Sequence, residues 1–148
     1  MKKQIERKSW ALLVIALAKG VGVTPVQLQK TLFLLGQKYL NVVGSDYYNF
    51  KPYDYGPFSV DVYCDLEELQ KDGLIIAYPS PSGRWNMYGV TKKGQISAEE
   101  IEKELDSDAI SFIREKINHF QTITFKEILK EVYIEFPKYA EKSVFQNT

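Results

Sequence analysis

The sequence predicts a mainly α fold with a small β-hairpin: a winged helix-turn-helix-like core followed by C-terminal helices. Apolar residues recur at helical spacing along most of the chain, and capping signals punctuate them. A single β-prone run folds back on itself across Pro79-Ser80-Pro81-Ser82-Gly83, and three helical segments precede it, which is the order of a winged helix. No repeat or long linker interrupts the pattern, so residues 1–148 read as one domain, with a core over 1–95 and a helical extension over 96–148.

Residues 5–19 predict a first helix. It is apolar nearly all round between Trp10 and Ala18, which suits a buried central element, and Gly20 marks its expected end. Thr24-Pro25-Val26-Gln27 has the spacing of a capping box with Pro at the first helical position, and it opens a second helix reaching to about Leu40. Leu28, Leu32, Leu35 and Tyr39 stack on one face of that helix and read as core. Asn49, Pro52, Gly56 and Pro57 then break the rhythm, so 46–59 predicts an irregular or strand-like connection. A third helix over about 59–73 turns Val62, Leu66 and Leu69 inward and stops at Gly73. Leu74–Tyr78 and Trp85–Val90 form the hairpin. Ser97-x-x-Glu100 and Thr124-x-x-Glu127 have capping-box spacing and predict two further helix starts. Between them, a helix from about Ser107 aligns Ile110, Ile113, Ile117 and Phe120, and the last helix aligns Leu129, Val132 and Phe136 before Pro137. These C-terminal helices need a surface to bury against, either the winged-helix core or another chain.

Composition narrows the function classes. At 148 residues, 45% apolar and 26% charged, the chain can bury a core without staples. One cysteine, Cys64, excludes an internal disulfide, and one histidine, His119, leaves almost nothing for a zinc site or a His-based triad. No phosphate-binding Gly-rich loop is present, and Glu6-Arg7-Lys8 resembles a nuclease core only in spacing, since it sits at a helix start. No catalytic residue, metal or other cofactor is expected. The longest apolar run, Trp10 to Ala18, has nine residues, well short of the roughly 20 that cross a bilayer. The basic start and Ala16-Leu17-Ala18 mimic a secretion signal, but Glu6 interrupts the basic segment and cleavage would delete a core helix. A cytoplasmic location is expected, and the unpaired cysteine agrees with it.

Lys plus Arg and Asp plus Glu balance at 19 each, so no global positive field points to nucleic acid, yet the charges are segregated. Residues 1–45 carry seven bases and one acid, 46–72 two bases and seven acids, and 73–98 three bases and no acid. On the third helix Asp61, Asp65, Glu68 and Asp72 recur at i, i+4, i+7 and i+11 and form one acidic stripe. Phosphates would repel such a stripe, so conventional DNA readout by this helix is disfavoured. The stripe reads either as a solvated face or as a surface for a cationic protein. Near the hairpin, Arg84, Trp85, Lys92 and Lys93 could touch nucleic acid as a wing, or be ordinary surface, and Lys2, Lys3, Arg7 and Lys8 carry the same two readings. Residues 47–63 hold seven of the 20 aromatics, namely Tyr47, Tyr48, Phe50, Tyr53, Tyr55, Phe58 and Tyr63. They either seal the core under a long connection or form an interaction surface.

Several segments together resemble a bacterial family, the Panacea or SocA-type antitoxin domain with its YwgA-like relatives. Thr24-Pro25-Val26-Gln27-Leu28-Gln29-Lys30-Thr31-Leu32-Phe33 is similar to the family's second helix with its Leu-x-Lys. Phe50-Lys51-Pro52-Tyr53-Asp54-Tyr55-Gly56-Pro57-Phe58-Ser59 resembles its Tyr-Gly-Pro segment, although Pro52-Tyr53-Asp54 stands where many members carry Ala-Trp or a similar pair. Leu66 to Ile75 and the tail Tyr133-x-x-Phe136-Pro137-Lys138-Tyr139-Ala140-x-Lys142-Ser143 extend the likeness over most of the chain. The resemblance implies a small winged-helix-like domain without catalytic activity that acts through protein partners such as toxins. The expected function is therefore a non-enzymatic module that binds and neutralises a protein partner, with Tyr53, Asp54, Tyr55, Phe58, Asp61, Asp65, Glu68 and Asp72 as the binding surface. The alternative is a DNA-binding regulator that uses the wing. A homo-oligomer is compatible with either.

Overall fold

The computed structural model describes residues 5–20 and 22–144, so Lys2 and Lys3 of the N-terminal basic cluster lie outside the described residues. The chain is mainly helical, with two small two-stranded antiparallel sheets. Helix α1 (Arg7–Leu17) runs through the middle: six consecutive residues, Trp10 to Ile15, are buried, which an α-helix allows only when neighbours cover it on every side. It ends at Leu17, ahead of Gly20, because distant side chains capture the backbone beyond it. Lys19 N–H donates to Asn118 Oδ1 (3.0 Å), and Gln121 Nε2 donates to the carbonyls of Lys19 (2.7 Å) and Gly22 (3.1 Å).

Helix α2 (Pro25–Lys38) begins with the expected capping box: Gln27 N–H donates to Thr24 Oγ1 (3.1 Å), and Thr24 N–H donates to Gln27 Oε1 (2.9 Å). Tyr39 leaves the helix, two residues before the predicted end, and a short helix α3 (Leu40–Val43) follows. The segment read as irregular or strand-like folds into a hairpin of β1 (Lys51–Tyr53) and β2 (Gly56–Phe58), with Pro52 opposite Pro57. The Pro57 carbonyl turns away from β1 toward Lys30, so this proline pair occupies the non-hydrogen-bonded register, where neither missing N–H breaks the ladder.

Helix α4 (Val60–Lys71) is followed by Gly73, whose φ of 75° turns the chain into β3 (Ile75–Pro79) and back through β4 (Asn86–Val90). Val23 adds a third, single-residue rung on β4: Val23 and Tyr88 exchange both backbone hydrogen bonds at 2.9 Å. Helix α5 (Lys92–Glu102) corrects the Ser97 start and crosses the 95/96 division between core and extension. Thr91 is the N-cap, and its hydroxyl accepts from Gly94 N–H at 3.0 Å. Helices α6 (Ser107–Phe120) and α7 (Phe125–Glu135) start where the sequence places them. Asp106 and Thr124 cap them, and a 3-10 turn over Pro137–Ala140 completes the tail.

Helices α5 and α6 pack on α1, and α6 and α7 pack on α2, so the C-terminal third buries its apolar faces against the chain's own N-terminal half. Around α2 and α7 this makes a second apolar cluster centred on Phe33, whose ring meets Phe50, Phe136 and Tyr139 edge-on at 4.6–5.5 Å. The tightest approach in the fold is at Gly94, where an added Cβ would lie 1.9 Å from the Leu74 carbonyl oxygen. Backbone blocks that position and no rotamer relieves it, so Gly94→Ala is expected to destabilise the protein by about 1–3 kcal/mol or more. Urea unfolding midpoints of the two chains measure this.

Candidate functional site

The acidic stripe is where the structure departs most from the sequence reading. Asp61, Asp65, Glu68 and Asp72 do share one side of α4, but that side faces the N-terminal turn of α1. Asp65 is buried, at 3% exposure. Arg7 donates to it from Nε (2.9 Å to Oδ2) and from Nη2 (3.0 Å to Oδ1), the bidentate fork that suits guanidinium and carboxylate. Tyr48 donates its hydroxyl to the same Oδ2 at 2.6 Å, and the Arg7 guanidinium stacks 4.9 Å from the Tyr48 ring centroid. Burial, reinforced by that hydrogen bond, pushes the Tyr48 phenol far above its ordinary range, which keeps it a donor. Arg7 Nη1 also reaches Asp61 Oδ2 at 3.4 Å, and Lys8 Nζ lies 3.5 Å from Asp72 and 3.9 Å from Glu68. The four carboxylates are thus answered by two of the chain's own bases. The stripe is neither a free acidic face nor, at Asp65, a surface at all. Part of the charge segregation along the chain, Arg7 and Lys8 against four acids of α4, is an internal contact, which periodicity within one helix could not reveal.

The aromatic segment divides in two. Tyr47, Tyr48 and Phe50 belong to the core side: Tyr47 donates to the Leu32 carbonyl at 2.6 Å, Tyr48 is buried, and Phe50 packs on Phe33. Tyr53 and Tyr55, at 56% and 47% exposure, point outward from the β1–β2 hairpin. Tyr53 stacks on Phe58 (centroids 5.4 Å apart, 27° between planes), and Phe58 in turn meets Tyr63 of α4 at 5.9 Å. Tyr55 meets the exposed Phe125 of α7 edge-on at 5.4 Å. Asp54 is exposed at the turn between them. Four of the expected binding residues, Tyr53, Asp54, Tyr55 and Phe58, therefore lie on one hairpin.

This hairpin is held from behind by buried polar contacts. Gln29 of α2 presents its amide to Ser59 as a neighbouring strand would: Nε2 donates to Ser59 O (2.9 Å), and Ser59 N–H donates to Oε1 (3.1 Å). The next residue, Lys30, donates from Nζ to Pro57 O at 3.1 Å. Gly56, with φ 85°, sits so close to α2 and α7 that an added Cβ would lie 3.1 Å from Tyr133 Cε1 and 3.4 Å from Lys30 Cε. Tyr133 donates its hydroxyl to Ser143 Oγ at 2.5 Å, and Val144 N–H donates to Asp54 O at 3.0 Å, which ties the tail across the turn. Gln29, Lys30, Phe125, Tyr133 and Ser143 escaped the residue-by-residue reading of the site, since nothing in spacing links positions a hundred residues apart. Gln29, Lys30, Tyr133 and Ser143 do lie in segments that carry the resemblance, which was the signal for them, and Phe125 had none.

The nucleic-acid set is dispersed. Arg84 and Trp85 are exposed at the tip of the β3–β4 hairpin, whereas Lys92 and Lys93 lie beyond its base, about 17 Å away along the five residues of β4. Lys93 is occupied in donating to the Asp72 carbonyl at 2.8 Å. Cys64 is exposed on α4, and His119 pairs with Glu131 at 2.8 Å on the surface. Among the described residues no cluster of His, Cys, Asp and Glu could hold a metal, and no helix is long and apolar enough to cross a membrane. Comparison with protein-family models finds no match, and neither does comparison with curated proteins.

Because Arg7 is a third exposed and can rehydrate, loss of its partner is milder than for a fully buried pair. Asp65→Ala is expected to cost about 2–3 kcal/mol, whereas Glu68→Gln and Asp72→Asn stay within about 0.5 kcal/mol, as exposed pairs do. Chemical denaturation of the three variants separates the buried contact from the exposed ones.

Proposed function

We propose that the chain is a non-enzymatic, cytoplasmic protein-interaction module of the antitoxin kind, docking a protein partner through the aromatic surface of the β1–β2 hairpin. The observation that carries this reading is the exposure of Tyr53 and Tyr55 on a hairpin whose back is locked to α2, α7 and the tail. Rings presented on a rigid support lose little conformational entropy on binding, and tyrosine combines apolar area with a polar tip. Phe58, Phe125 and the exposed Val60 extend the apolar area on either side. Asp54 remains at its polar margin, whereas Asp61, Asp65, Glu68 and Asp72 are turned to Arg7 and Lys8 and drop out of the proposed surface.

The fold reading that accompanies this is a winged helix built from α1, α2, α4 and the β3–β4 hairpin, with Val23 as its first, minimal strand. The Panacea or SocA-type resemblance supports the same assignment, and it makes a toxin encoded beside this gene the expected partner. The runner-up, a DNA regulator acting through the wing, draws support from the exposed Arg84 and Trp85.

Co-expression of the tagged chain with the adjacent gene product tests the proposal. Recovery of the pair and rescue of growth are expected, and the double variant Tyr53→Ser with Tyr55→Ser should reduce recovery at least tenfold, a hot-spot-sized effect, with little change in thermal stability. Undiminished recovery by the double variant overturns the assigned surface. Retention of genomic DNA fragments at low salt, abolished by Arg84→Glu with Lys92→Glu, transfers the assignment to the regulator.

A further inference from the structure

Among the described residues Lys30 is the one buried lysine, and it stands directly behind the β1–β2 hairpin. At 2% exposure it lies inside the wall formed by α2, β2, α7 and the tail, and a lysine amine has three donors where this one makes a single protein hydrogen bond, to Pro57 O. No carboxylate pairs with it among the described residues. The titratable group beside it is Tyr133, on the other flank of Gly56, whose phenol burial pushes upward and so keeps neutral. Lys51 and Asp54 on the hairpin, and every Lys and Glu of α7 and of the described tail, lie on exposed positions. Removal from water outweighs the single hydrogen bond to Pro57 O and pulls the pKa from 10.5 down to about 7.

We propose that Lys30 is a proton-operated latch on the β1–β2 hairpin: the neutral amine lets the hairpin seat against α2 and Tyr133, and the ammonium loosens it. The sign follows from linkage. An opened hairpin exposes Lys30 to water and restores its ordinary basicity, so between about pH 7 and 10.5 the open form binds more protons than the closed one. Opening therefore becomes more favourable as the pH falls through this window and levels off below about pH 7. The two values imply roughly a tenfold larger opening equilibrium at pH 6 than at pH 8. The consequence for partner binding rests on the docking reading above, because the latch governs how rigidly Tyr53 and Tyr55 are presented.

Amide hydrogen exchange of the full chain, corrected for intrinsic rates, reads the latch without any partner. The amides of Tyr53, Gly56, Phe58 and Ser59 are expected to open about tenfold more at pH 6 than at pH 8, while remaining less protected than those of Leu12 to Ile15. In Lys30→Met, and in Lys30→Gln, which keeps a donor for Pro57 O, that dependence falls below twofold. NMR titration of the Lys30 Cε resonance in the native chain is expected to show a midpoint near pH 7. A lysine that stays charged through pH 9, or an undiminished pH dependence in both variants, overturns the proposal. Should neither variant fold, the side-chain titration decides it alone. Since neither readout involves a partner, failure of the docking surface and failure of the latch are told apart.

Discussion

The constraint on which the rest depends is the complete burial of α1 between Trp10 and Ile15. A helix covered on every side has only its ends in water, so the elements around it are placed by the need to cover it and by what its ends require. Helices α2, α4, α5 and α6 and strand β4 supply the cover. At the N-terminal end, Arg7 and Lys8 must leave the apolar region as charges, and the acidic side of α4 is what meets them. That contact sets where α4 lies, and with it the start of β3, since only Asp72, Gly73 and Leu74 separate the two.

The β1–β2 hairpin follows a different logic. Two three-residue strands cannot stand alone in water. This pair is stabilised by being built into the protein: an amide side chain replaces a missing strand at Ser59, a lysine takes the Pro57 carbonyl, and the tail bonds across the turn. Buried polar groups of this kind specify one geometry more than they add stability. The result is a short, stiff element whose outer face carries exposed aromatic rings.

Local signals were legible wherever the physics is local. Capping boxes at Thr24 and Thr124, the glycine stop at Gly73 and the hairpin after it all depend on atoms within a few residues, and the structure places them where the spacing does. The Ser97 capping spacing misled because Thr91 competes for the same helix, and the glycine at 94 lets that earlier start pack against Leu74. The end of α1 was misplaced for a related reason: Gln121 and Asn118 hold its exit, and no window of sequence contains both partners.

What the sequence determined by itself was the class of fold, most helix starts and the density of aromatics around residues 47–63, because periodicity and capping are properties of neighbours along the chain. Whether a ring of that segment faces in or out, and whether a carboxylate of α4 meets solvent or Arg7, was decided only in the tertiary structure. Burial and ion pairing depend on which distant element arrives at a face, and a row of Asp and Glu at helical spacing looks the same whether water or an arginine from the first helix stands opposite.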